Sequence, residues 1–145
     1  MKSKIAVFLI IGTAALAASY ATLRASQDAG KTTWDSVYST AQAQRGETLF
    51  GDKCAKCHGS DGTGGDAPVL VGGDFASDWD GLTMAQLFDR TRQSMPQDNP
   101  SSLSREQTAD LLAFLLMKNS FPAGSADLPT GAEYLAQIKY VAVKP

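Results

Sequence analysis

Cys54, Cys57 and His58 fall in "CAKCHGSDGTGG", residues 54 to 65, with the imidazole directly after the second thiol. They are the only cysteines and the only histidine among 145 residues. Four chemistries use such a set. The thiols can close a structural disulfide with an incidental histidine beside it. They can act as a redox dithiol, or begin a zinc site. They can also add across the two vinyl groups of a haem, one helical turn apart, leaving the next residue's imidazole under the ring with a nitrogen toward the iron. Zinc needs two further ligands, and the sequence holds no other Cys or His to supply them. A thioredoxin-type dithiol needs a strand before it and a parallel-sheet pattern around it, and neither is legible. Haem attachment is the expectation, with the disulfide as the bland alternative.

An iron held by one imidazole takes a second ligand on its far face, and a thioether is the natural donor where no second histidine exists. Met1 stands in the N-terminal leader, and Met84 and Met117 sit within apolar helix faces, where methionine usually fills core. Met95 precedes Pro96 in a loop, 37 positions after His58. It is the candidate axial ligand; the alternative is that it caps an apolar patch.

Several elements must position these groups. In "TTWDSVYSTAQAQRGETLFGDKC", Thr33 is a possible cap. Trp34, Val37 and Tyr38 recur at helical spacing, so one or two short helices are expected to end at the cysteines. Residues 59 to 82 are rich in Gly and Asp and read as one long ordered loop, of a kind that is unusual unless it wraps something. Thr83 with Gln86 forms a capping box that opens a helix with Met84, Leu87, Phe88 and Thr91 on one face, stopping near Gln93 ahead of Pro96. Ser104 with Gln107 opens the next, "REQTADLLAFLLMKNS", which is apolar on nearly every side and therefore central. Thr130 and Glu133 predict a last short helix with Tyr134, Leu135 and Ile138 inward, and "YVAVKP" reads as an extended tail. No repeat and no long strand pattern is present, so the fold class is all-α.

Lys2 and Lys4 precede "IAVFLIIGTAALAA", which is uncharged but shorter than the roughly 20 apolar residues a membrane span requires. Ala15-Leu16-Ala17 and Ser19-Tyr20-Ala21 both fit a small-x-small cleavage rule, so residues 1–21 read as a secretory signal peptide. An uncleaved anchor is the alternative, and only then would the protein be held at a membrane. Export would bring the cysteines into an oxidising compartment, where they pair unless something else holds them. Loss of the leader removes Lys2 and Lys4 and no acid, leaving 15 acidic side chains against 11 basic. No basic run or basic helix face suggests a nucleic-acid partner. Six aspartates (61, 66, 74, 78, 80 and 89) occur between Asp61 and Asp89 without a Lys or Arg. That run implies one acidic side, or simply a solvated loop.

"RGETLFGDKCAKCHGSDGTGG", "APVLVGG", "SMP" and the last large helix together resemble a class I c-type cytochrome, over roughly Arg45 to Phe121. "WDSVYSTAQAQRGETLF", "WDGLTMAQLFDRTRQSMPQDNPSSLSREQTADLLAFLL" and "FPAG" further resemble a bacterial subgroup of secreted monohaem cytochromes, some associated with quinoprotein dehydrogenases. The resemblance implies a cytochrome c fold: helices and a long loop around one covalently bound haem c. Cys54 and Cys57 would carry the thioethers, and His58 and Met95 would be the axial ligands. Pro68 would offer its carbonyl to the histidine's other N–H, and Leu70 would pack on the ring. Gly46 and Phe50 would cross the last helix near Leu111, Phe114 and Leu115. Trp79 is a propionate donor or ordinary core. Arg90 and Arg92 are weaker propionate candidates, or plain solvated charges.

The implied organisation is a signal peptide at 1–21, an N-terminal extension at 22–40, a cytochrome domain at 41–122 and a C-terminal extension at 123–145. The implied function is a periplasmic one-electron carrier rather than an enzyme, with a dehydrogenase as donor and an oxidase as acceptor. A haem-based sensor or peroxidase-like enzyme, or a cytochrome subunit of a larger membrane complex, are the alternatives.

Overall fold

A computed structural model describes residues 30–145. The expected signal peptide, and the extension up to residue 29, lie outside the described residues. Among the described residues no helix is long and apolar enough to cross a membrane.

The elements run β1 (Lys31–Thr32), α1 (Thr40–Lys53), α2 (Ala55–His58), α3 (Gly73–Trp79), α4 (Met84–Ser94), α5 (Arg105–Lys118), α6 (Ala132–Leu135) and β2 (Ile138–Lys139). The architecture is all-α apart from one parallel pair, β1 with β2, in which Lys31 faces Ile138 and Thr32 faces Lys139.

Helix α5 is the centre. An unbroken buried run from Leu111 to Leu116, with Thr108 and Ala109, leaves it no solvent face wide enough to be amphipathic. Ser104 and Gln107 close its capping box. Helix α1 crosses it at Gly46, where a Cβ would run into the backbone carbonyl of Asp110 and stand 2.9 Å from Cβ of Phe114. Glycine is therefore what lets the two backbones meet. One turn later the rings of Phe50 and Phe114 pack at a tilt of 43°, 5.0 Å between centroids.

The N-terminal part of the expected first helix is not helical. Thr33 does not cap: its hydroxyl accepts the Val141 N–H at 3.1 Å. Trp34 donates its indole N–H to the Val141 carbonyl at 2.8 Å, and Tyr38 its hydroxyl to the Phe121 carbonyl at 2.7 Å. Long-range partners therefore override the local helical spacing. The cap is Ser39, whose side chain accepts the Gln42 N–H at 3.0 Å.

A second correction concerns residues 59 to 82, which contain helix α3. Its short amphipathic signal is the pair Phe75 and Trp79, four residues apart and 6.3 Å between ring centroids. Asp74 sits in the first turn, where the helix end favours negative charge.

The C-terminal segment folds back as a strap. Gln42 holds both backbone groups of Leu128, at 3.1 and 2.6 Å. Helix α6 buries Leu135 but leaves Tyr134 59% exposed, against the expectation that it points inward. Thr130 does not cap that helix, which begins after Gly131 without a side-chain cap; its carbonyl instead accepts from the Arg105 guanidinium. The tail is not a loose extension either. Tyr140 is buried, its N–H donates to Leu82 at 2.8 Å and its carbonyl accepts from Gly81 at 2.9 Å. The strap thus closes on the entry to α4.

Candidate haem site

The site is built from the end of α1. Cys54 caps that helix, its N–H donating to Phe50 at 2.9 Å, and its carbonyl accepts the N–H groups of Cys57 and His58 at 3.1 and 3.0 Å. This single turn, α2, fixes the three side chains on a rigid base. Neither cysteine is in a disulfide. Cys54 is half-buried and Cys57 exposed; burial pushes the Cys54 thiol up to about 11, with repulsion from the neighbouring Cys57 adding to it.

His58 is buried, 7% exposed. Its Nδ1 lies 2.8 Å from the Pro68 carbonyl oxygen. A carbonyl can only accept, so Nδ1 carries the proton and the lone pair of the neutral ring is on Nε2. The proton assignment follows from the partner, and it leaves Nε2 as the atom free to ligate.

The loop after His58 is folded on itself. Gly64 donates to the His58 carbonyl at 2.9 Å, Ala67 to Cys57 at 3.0 Å and Leu70 to Gly62 at 2.8 Å. Gly59 starts this reversal at φ +78°, and a Cβ there would come within 2.6 Å of the Gly64 carbonyl oxygen, so no other residue fits the turn without strain. These bonds bring Pro68 onto His58 and draw Leu70, half-buried against the core, into the same unit.

Met95 and Trp79 come from other elements, and no hydrogen bond ties either to that unit. Met95 is the C-cap of α4, in extended backbone at φ −121° and ψ 151°, with its N–H on Thr91 at 3.0 Å. Leaving the helical conformation frees its side chain from the helix face. Met84 is fully buried and Met117 half-buried, both packed with the core. Trp79 packs beside Phe75 at the end of α3.

The donor set would suit a haem: two unpaired thiols one turn apart and an imidazole with its proton placed on Nδ1, with the Met95 thioether, at the end of another helix, as the candidate second ligand. A further observation concerns charge. Arg92, one turn before Met95, has its Nε buried without any hydrogen-bond partner among the described residues. A buried guanidinium N–H without an acceptor is unfavourable, which suits a site completed by an anionic group. Arg90 is exposed and shows no such feature.

Asn119 was not singled out by motif or spacing. It follows α5 and bonds the loop at Leu70 and Gly72 as well as its own helix at Leu115. Its only sequence signal is an asparagine in the last turn of a predicted helix, near where one commonly ends a helix.

Fold and site together define a c-type cytochrome, a haem c-binding electron-transfer protein. A family profile described as cytochrome c oxidase, cbb3-type, subunit III matches residues 41–115. That match covers just over half of the chain, and the chain belongs to this family. A solved structure, the sulfane dehydrogenase SoxCD from Paracoccus pantotrophus, is similar at 26% identity over 74% of this chain, with a TM-score of 0.49. The similarity spans 61% of that chain. No curated protein matches.

Proposed function

We propose that this chain is an exported carrier that takes up and gives out one electron at a time through a single, covalently attached haem c with histidine and methionine on its two faces. The observation that carries the reading is the bond from His58 Nδ1 to Pro68, which turns Nε2 of a buried histidine into the atom available to a ligand, immediately after a pair of unpaired thiols. A haem bound here supplies an iron that changes oxidation state by one electron. Cys54 and Cys57 would hold it through thioethers, and His58 and Met95 would ligate. Both axial positions are then filled from the chain, so no position is open for a substrate. Pro68 orients the imidazole and strengthens it as a donor. Leu70 would pack on the ring, Trp79 would donate its indole N–H to a propionate, and Arg92 would place a positive charge beside the propionates.

The basic start and apolar run of residues 1–21 support export to the periplasm. The sequence resemblance supports a quinoprotein dehydrogenase as donor and an oxidase as acceptor. The aspartates between Asp61 and Asp89 (all six exposed) support a basic or neutral docking surface on the partner, and reduction that slows with added salt would accompany it.

The test is the absorption spectrum of protein expressed with export and haem attachment, oxidised and reduced, for the native chain and Met95→Ala. The iron–sulfur charge-transfer band is expected in the oxidised native protein and absent in Met95→Ala, which should bind carbon monoxide readily when reduced. Ready carbon monoxide binding by the native protein at neutral pH would overturn the carrier reading in favour of a sensor or peroxidase-like haem. Loss of the band in Met117→Ala instead would overturn the ligand assignment.

A further inference from the structure

The carbonyl that orients His58 belongs to Pro68 and shares its peptide plane with the Val69 N–H, which donates no hydrogen bond among the described residues, and the proline itself has no N–H to donate. Its position must be set by its neighbours. On one side, Ala67 donates to the Cys57 carbonyl at 3.0 Å. On the other, Leu70 donates to Gly62 at 2.8 Å, and the backbone beyond is gripped by one side chain. Asn119 Nδ2 donates to the Leu70 carbonyl at 3.0 Å, and Asn119 Oδ1 accepts the Gly72 N–H at 3.0 Å. The amide thus pairs with the peptide groups on both sides of Val71, as a neighbouring strand would. Nδ2 also donates to Leu115 at 2.8 Å, inside α5. The two carbonyls and the one N–H around it fix which end of the amide is oxygen.

We propose that Asn119 is a positioning residue for the proximal ligand: it clamps the 70–72 backbone to the end of α5 and so holds the Pro68 carbonyl against His58 Nδ1. The proposal rests on His58 being the iron ligand. It makes α5, the most buried element of the fold, the reference against which the imidazole is oriented. Without the amide the loop keeps only its own short-range bonds, and the bond to Nδ1 opens more often than the core does.

Proton exchange separates this role from ordinary helix capping. In the reduced, haem-loaded protein, the exchange rate of the His58 Nδ1–H is measured by NMR beside that of the Leu112 amide, which reports on the core. Asn119→Ala removes all three bonds. Its Nδ1–H is expected to exchange roughly tenfold faster or more, relative to the Leu112 amide. Asn119→Ser can still donate to the carbonyl four residues back, at Leu115, but cannot span to Leu70 and Gly72. It is expected to recover thermal stability and keep the fast Nδ1–H exchange. The proposal is overturned if both protons change by the same factor in Asn119→Ala, or if Asn119→Ser restores the Nδ1–H rate together with stability. A native imidazole lacking the ring-current shift of a haem ligand would sink the ligand assignment instead. The exchange comparison would still report the coupling of Asn119 to the Pro68 carbonyl, since the bond from His58 Nδ1 to that carbonyl needs no iron.

Discussion

The two sides of the candidate haem site are built in opposite ways. The His58 side is local. Cys54 to Gly72 is one run of chain, closed by hydrogen bonds that span ten residues or fewer, with Asn119 as its one distant tie. The Met95 side is assembled from afar. Its helix α4 begins against Leu82 and Thr83, which meet Tyr140 and Lys139 of the strap, and the strap in turn is paired to Thr33 and Trp34 near the other end of the described chain. A locally closed ligand side can stay formed while the rest of the molecule fluctuates. A side held by remote segments loosens whenever either segment does. The difference predicts separable mutants.

Leu135→Ala should give the largest effect. Leu135 is fully buried on α6, and truncating such a leucine costs about 2–5 kcal/mol. The strap should loosen with it, so the iron–sulfur band is expected to fade at lower urea than in the native protein, while the His58 Nδ1–H keeps its slow exchange in the absence of urea. Urea titration followed at that band and by far-UV circular dichroism checks this. Coincident loss of protection at Nδ1 would abolish the distinction between the two sides.

Gly59→Ala should do the reverse on a smaller scale. A non-glycine residue held in this backbone region, against the Gly64 carbonyl, costs about 1–3 kcal/mol. The strain falls on the turn that delivers Pro68. Faster Nδ1–H exchange with an unchanged iron–sulfur band is the expected pair of results. A band lost as readily as in Leu135→Ala would show that the two ligand sides move as one.

The same contrast explains how much could be read from the sequence. Cys54, Cys57 and His58 stand together in sequence and in space. The capping boxes at Thr83 and Ser104 are made of neighbours and occur as expected. The reading failed where distant residues decide the outcome. Trp34, Val37 and Tyr38 have helical spacing, yet Trp34 and Tyr38 spend their polar atoms on Val141 and Phe121, which no local pattern reveals. Tyr134 has the periodicity of a core residue, but α6 is a single turn with room to bury one side only, and Leu135 takes it. Helix α3 is hidden because Gly73, Asp74 and Asp78 read as loop while its burial signal is a lone Phe75–Trp79 pair. Asn119 has no motif at all, since its value depends on which loop lands beside α5.

Tyr140→Phe probes the strap with the smallest change. The Tyr140 ring packs edge-on against Phe121 and Phe75, at 5.1 and 6.3 Å between centroids, and its hydroxyl is buried without a partner among the described residues. Removing an unbonded hydroxyl while keeping the ring should leave stability at neutral pH unchanged or raised, within about 1 kcal/mol. Alkaline conditions make the variant informative. Burial, with Asp80 nearby adding to it, raises the phenol from its ordinary 10.0 to about 12. A phenol is neutral when protonated, so the folded state favours the protonated form. That contribution is present in full below about pH 10 and is lost as the pH rises toward 12. The native protein should therefore lose stability across this window faster than Tyr140→Phe, as read from urea midpoints at stepped pH. Equal slopes would mean that the hydroxyl ionises as freely in the folded chain as in the unfolded one, and that the strap over α4 is open to water at the point where it closes the Met95 side.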